Sequence, residues 1–91
     1  PLAGLGNITY KTGEYKESRR HFLKALKIAP NDAGILNNLA YAYGREQCFT
    51  QADEIINKAI RLQPGNKTYS SSKQEIKLWN KDGHNAICPD N

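Results

Sequence analysis

Sliding the 91-residue chain against itself by 34 positions brings like side chains onto like, and no other feature limits the fold so tightly. Leu2 falls on Leu36, Leu5 on Leu39, Gly6 on Ala40, Tyr15 on Phe49, Ser18 on Ala52 and Phe22 on Ile56. Ala25, Leu26, Ile28 and Pro30 then fall on Ala59, Ile60, Leu62 and Pro64. Large residues stay large and small ones stay small. Because interiors are filled to near-crystal density, matched volumes mean that one packing problem is solved twice.

Each unit holds two apolar stretches at helical spacing: Leu2, Leu5 and Ile8/Thr9, then Tyr15, Ser18, Phe22, Ala25 and Ile28. Leu36, Leu39 and Tyr43, then Phe49, Ala52, Ile56 and Ala59, repeat the arrangement. Thr12, Gly13 and Glu14 supply a turn, since glycine accepts the left-handed backbone that ends a helix. Pro30 and Pro64 stop the second helix of each unit, and Asn31 and Asp32 are natural caps for the helix that follows. Gly6/Ala40, Ser18/Ala52 and Ala25/Ala59 are small enough for paired helices to approach within about 8–10 Å. The expected units are helix-turn-helix hairpins over residues 1–30 and 31–64.

These positions resemble the tetratricopeptide repeat family, whose order of leucine, small, tyrosine, alanine, aromatic, alanine and proline is met at Leu39, Ala40, Tyr43, Ala52, Ile56, Ala59 and Pro64. The first unit matches at Leu5, Gly6, Ser18, Phe22, Ala25 and Pro30, so the resemblance covers roughly residues 1–66. It departs where Leu2 and Leu36 stand for a tryptophan, Thr9 for a tyrosine and Ser18 for an alanine. The implied fold class is all-α: an α-solenoid fragment of two hairpins closed by a C-terminal capping helix.

That cap is expected over residues 67–81, where Tyr69, Ile76 and Trp79 share a helical face and Ser72 and Glu75 have capping-box spacing. Ser70, Lys73, Gln74 and Lys77 stand where a third repeat would carry its signature, and Lys67, Lys73, Lys77 and Lys81 are expected to face water. Gly83 ends the domain, 1–83, and 84–91 reads as an irregular tail. Two hairpins and a cap are fewer than the three repeats that usually stand alone. A further neighbour against the first helix, or a cross-link, would make up the difference.

The chain has two cysteines, Cys48 and Cys88. In an up-and-down topology the turn before Phe49 and the exit of the capping helix at Gly83 lie at the same end of the stack, within reach of a short tail. A Cys48–Cys88 disulfide would contribute about 3–4 kcal/mol in the chain-entropy model. Two free thiols in a reducing cytosol are the alternative; a bridge would place the chain in the periplasm or outside the cell, free thiols in the cytoplasm. A metal site of Cys48, Cys88 and His84 lacks the fourth ligand and the paired Cys-x-x-Cys spacing of structural zinc. His21 reads as an exposed or half-packed side chain. No nucleophile–base arrangement or phosphate loop stands out, so neither enzymatic activity nor a cofactor is expected.

The resemblance further implies a concave face lined by the first helix of each hairpin, which receives an extended peptide or a helix. Carried over, that face holds Asn7, Tyr10 and Lys11 from hairpin one and Asn37, Asn38, Tyr41 and Arg45 from hairpin two, edged by Thr68 and Ser72. Asparagine can hold both partners of a peptide unit, tyrosine offers apolar area with a hydroxyl, and the two cations favour carboxylates. The chaperone-tail clamp of some family members is not expected, because Ala3 replaces its lysine, although Asn7 and Asn38 fit. Lys16, Arg19, Arg20, Lys24 and Lys27 form a basic cluster on the second helix, read as a solvated face. The net charge is +4. This modest excess leans toward acidic protein partners, without the dense basic block of a nucleic-acid binder. The expected function is a non-enzymatic peptide-binding module; a homodimer formed through exposed end helices is the alternative. No apolar run is long enough to span a membrane.

Overall fold

The computed structural model describes residues 1–83 and residue 88, and contains five α-helices and no strand among them. They are α1 (Leu2–Lys11), α2 (Tyr15–Ile28), α3 (Ala33–Arg45), α4 (Phe49–Leu62) and α5 (Lys67–Trp79). Each helix packs on the next, and α3 also touches α1 and α5. The odd-numbered helices therefore form one row, with α2 and α4 behind it. His84, which entered the metal reading, lies outside the described residues.

Many of the repeated positions meet in a single core, although Leu5, Ile28 and Leu62 stay exposed. Phe22, Leu36, Leu39, Tyr43 and Ile56 are buried together with Ala40, Ala52 and Ala59. Each large member removed from water contributes about 1.5–3 kcal/mol. The two units differ in how they reach the same volume. A methyl group on Gly6 would lie 2.5 Å from Phe22 Cε1, so the larger ring of unit one is matched by the smaller residue opposite it. Unit two uses Ala40 with Ile56. Ser18 adds a buried hydrogen bond from its Oγ to the Gly6 carbonyl, 2.8 Å.

Turn chemistry repeats as well. Gly13 has φ +84°, and Gln47, 34 positions later, has φ +64°. Gln47 takes the left-handed conformation without glycine's freedom from a Cβ. Asp32 caps α3 by accepting from the Ile35 amide at 3.1 Å. Asn66 caps α5 by accepting from the Thr68 amide at 2.9 Å. Ser72 and Glu75 do not form the expected capping box. Ser72 is buried within α5 and donates to the Thr68 carbonyl, while Glu75 reaches Tyr41. The helix ends at Trp79, two residues short of the expected 81.

Arg19 departs furthest from expectation. It is 1% exposed. Its Nε donates to Glu46 Oε2 at 2.6 Å, and its guanidinium carbon lies 5.8 Å from the Tyr43 ring centre. Helical spacing puts Arg19 beside solvated Lys16 and Arg20, but the turn after α3 closes over it and supplies its countercharge. An Arg is the side chain suited to such a site, because its planar fork meets a carboxylate and an aromatic face at once.

The two ends of the stack differ. Leu5 and Ile8 are 47% and 61% exposed, whereas Leu39 and Ala42, their counterparts 34 positions on, are wholly buried. At the other end, Lys73 and Lys77 stand where α3 has Leu39 and Tyr43. Lys73 donates to Asn57 Oδ1 of α4 at 2.7 Å, while Leu78 on the same helix as Lys73 is 72% exposed.

A candidate partner groove on the α1–α3–α5 face

One register of the repeat places side chains on the common face of the odd-numbered helices. Asn7, Tyr41 and Glu75 are successive members of it, and Lys11, Arg45 and Trp79 are successive members of the next, each 34 positions apart. A hollow of about 240 Å³ opens between the three helices. Asn7, Tyr10, Asn38, Tyr41, Arg45 and Glu75 wall it, and Phe22 lies at its base.

The walls are held by contacts between helices. Asn38 Nδ2 donates to Asn7 Oδ1 at 3.1 Å, joining α3 to α1. Arg45 Nε donates to the Tyr10 hydroxyl oxygen at 3.0 Å. Tyr41 donates its hydroxyl proton to Glu75 Oε1 at 2.7 Å, joining α3 to α5. The Arg45 guanidinium lies 3.9 Å from the centre of the Trp79 ring, close enough for a cation–π attraction. Tyr15, Tyr10, Tyr41 and Trp79 continue as a chain of rings with centres 5.3, 6.3 and 5.6 Å apart. These are aromatic contact distances, so the face is preset rather than loose.

Electrostatics follow the same contacts. Burial, then the hydrogen bond to Glu75, pushes the Tyr41 phenol above its usual range. The bond to Tyr10 raises Arg45 further, keeping it a fixed cation. Arg45 is exposed despite its two neighbours.

Five of the seven residues expected on this face meet at the hollow: Asn7, Tyr10, Asn38, Tyr41 and Arg45. Lys11 is exposed beside it without lining it. Asn37 is placed differently. It is 8% exposed, its Nδ2 donates to Asn38 Oδ1 at 3.3 Å, and its Oδ1 is buried without a partner. Thr68 and Ser72 do not line the hollow, although Ser72 bonds to Tyr41; Glu75 does line it. Glu75 and Trp79 escape a reading that treats α5 only as a cap, yet extending the offset from Tyr41 and Arg45 lands on both.

A larger hollow of about 420 Å³ opens along the α4–α5 seam, with Phe49, Ile56 and Ile76 beneath a rim that includes Asp53, Glu54, Lys73 and Lys77. No helix among the described residues is long and apolar enough to cross a membrane.

Two family models match the chain. One described as TPR repeat covers residues 6–47, and one described as Tetratricopeptide repeat covers 33–66. Among curated proteins, Stress-induced-phosphoprotein 1 of Caenorhabditis elegans is 28% identical over 80 residues, 88% of this chain and 24% of that protein. Uncharacterized protein ycf37 of Pyropia yezoensis is 32% identical over 72 residues, 79% of this chain and 40% of that protein. The chain thus spans well under half the length of either relative.

Proposed function

Since the chain belongs to the tetratricopeptide repeat family, we propose that it is a protein-interaction module whose α1–α3–α5 face receives a peptide or helix from a partner protein. The observation that carries this reading is the hollow itself, where three helices contribute polar and aromatic side chains around an apolar base. Asn7 and Asn38 offer amide groups to a partner backbone, and Tyr10 and Tyr41 offer flat apolar area. Arg45, with Lys11 beside it, favours a partner segment that carries carboxylates.

The test is binding to a captured partner by Tyr41→Ala and Arg45→Ala, with helical circular dichroism as the folding control. Loss of about tenfold or more in affinity for each is expected for central groove residues. Full affinity in both variants rules the groove out.

A second reading rests on the exposed Leu5 and Ile8. Burying them against a second copy of the chain would complete the stack. Sedimentation across a range of concentrations separates the readings: a dimer dispersed by Leu5→Glu supports self-association, and a monomer throughout excludes it.

A further inference from the structure

Two of the groove's contacts, Glu75 and Trp79, come from α5, which packs on the second hairpin alone. It buries Tyr69, Ser72 and Ile76, whereas α3 buries eight residues. We propose that the Cys48–Cys88 pair is a redox-operated tether that keeps α5, and so one wall of the groove, against the second hairpin.

Cys48 is wholly buried at the residue that precedes α4. Its Cα lies 5.8 Å from that of Cys88, and the structure joins the two sulfurs across a separation of 40 positions. Gln51 holds the same point by a second means. Its Nε2 donates to the Cys88 carbonyl and its Oε1 accepts from the Cys88 amide, each at 2.6 Å. One glutamine thus satisfies both backbone groups of Cys88, as a neighbouring strand would. The polypeptide leaves α4 at Leu62, forms α5 and is fastened again at Cys88, so α5 lies inside a closed loop.

Cys88 is half-buried and Cys48 fully so, which leaves the Cys88 sulfur as the one open to attack. A dithiol reductant attacks there as thiolate, forming a mixed disulfide and releasing Cys48 as a thiolate that takes up a proton. The reductant's second thiolate then displaces Cys88. Two electrons and two protons pass to the protein, and the reductant leaves as a disulfide. With the loop open, α5 regains the freedom that closure removed. Loop-closure entropy for a cross-link of this span corresponds to a rise of about 10²- to 10³-fold in the undocked population.

Trp79 is the single tryptophan and reports α5 directly from its place beneath Arg45. The experiment follows urea unfolding by Trp79 emission and by helical circular dichroism, on the air-oxidised chain and after full reduction with dithiothreitol. The two transitions should coincide in the oxidised chain. After reduction, the Trp79 transition should fall at lower urea than the helix transition, with greater quenching by acrylamide. Cys88→Ser should reproduce the reduced behaviour without reductant. Coincident transitions in both states would make the bridge a staple of the whole fold and overturn the proposal. So would two titratable thiols in the folded, air-oxidised chain, or a Cys88→Ser variant that behaves as the oxidised protein does.

Discussion

Gly6 and Phe22 offer a sharp test of the packing that underlies everything else. A Cβ on Gly6 would lie 2.5, 2.7 and 2.9 Å from Phe22 Cε1, Cδ1 and Cζ. Carbon atoms prefer about 3.5–4.0 Å, so the ring must retreat by about 1 Å. Phe22 is 1% exposed, and the ring can retreat only toward the groove hollow whose base it forms or into the packed core. Overpacking of this kind costs about 1–3 kcal/mol. Alanine regains about 1 kcal/mol of helix propensity over glycine, which leaves Gly6→Ala destabilised by about 0–2 kcal/mol. Unit two contains the compensated pair, Ala40 with Ile56. In a Phe22→Ile background the clash is gone, and Gly6→Ala should stabilise by about 1 kcal/mol. The coupling between the two substitutions is therefore about 1–3 kcal/mol, measurable by urea denaturation of the wild type, both single variants and the double variant. Additivity within about 0.5 kcal/mol would show that the ring does not occupy this space.

Other outcomes follow from the same contacts. Gln47→Gly should raise stability by about 0.5–1 kcal/mol, because glycine meets the positive φ without strain; a lower thermal midpoint would argue against that turn. Arg19→Ala should cost about 3 kcal/mol by leaving Glu46 without its buried partner, and Arg19→Met distinctly less if volume rather than charge dominates; denaturant midpoints rank the two. The raised Tyr41 phenol contributes stability in full below its unfolded value, and loses it as pH climbs through the folded one. Alkaline titration followed by ultraviolet absorbance should then show one phenol ionising late, a step that Tyr41→Phe deletes.

The hairpins could be read before any coordinates because volume and polarity recur together. Leu39, Ala40, Ile56 and Ala59 have few ways to be satisfied except in a shared interior. The proline stops and the Asp32 cap are local signals that tertiary packing did not override. Arg19 was illegible for the opposite reason. Its burial depends on Glu46, 27 positions away, and helical periodicity carries no information about what a later turn will cover. Asn37 is a lesser case of the same kind, one residue from Asn38 but turned into the interior. Glu75 and Trp79 were legible in principle. Their positions follow from Tyr41 and Arg45 by the repeat offset, but the lysines of α5 hide the register by replacing its core signature.

On the proposed function, a partner lies along the face shared by α1, α3 and α5. Site-specific photo-crosslinking tests it most directly, with a photoreactive residue placed at Tyr41 in the groove or at Lys27, which is exposed on α2. Adducts with one partner protein should form from position 41 and be absent from position 27. Equal yields from both, or adducts from position 27 alone, would contradict it.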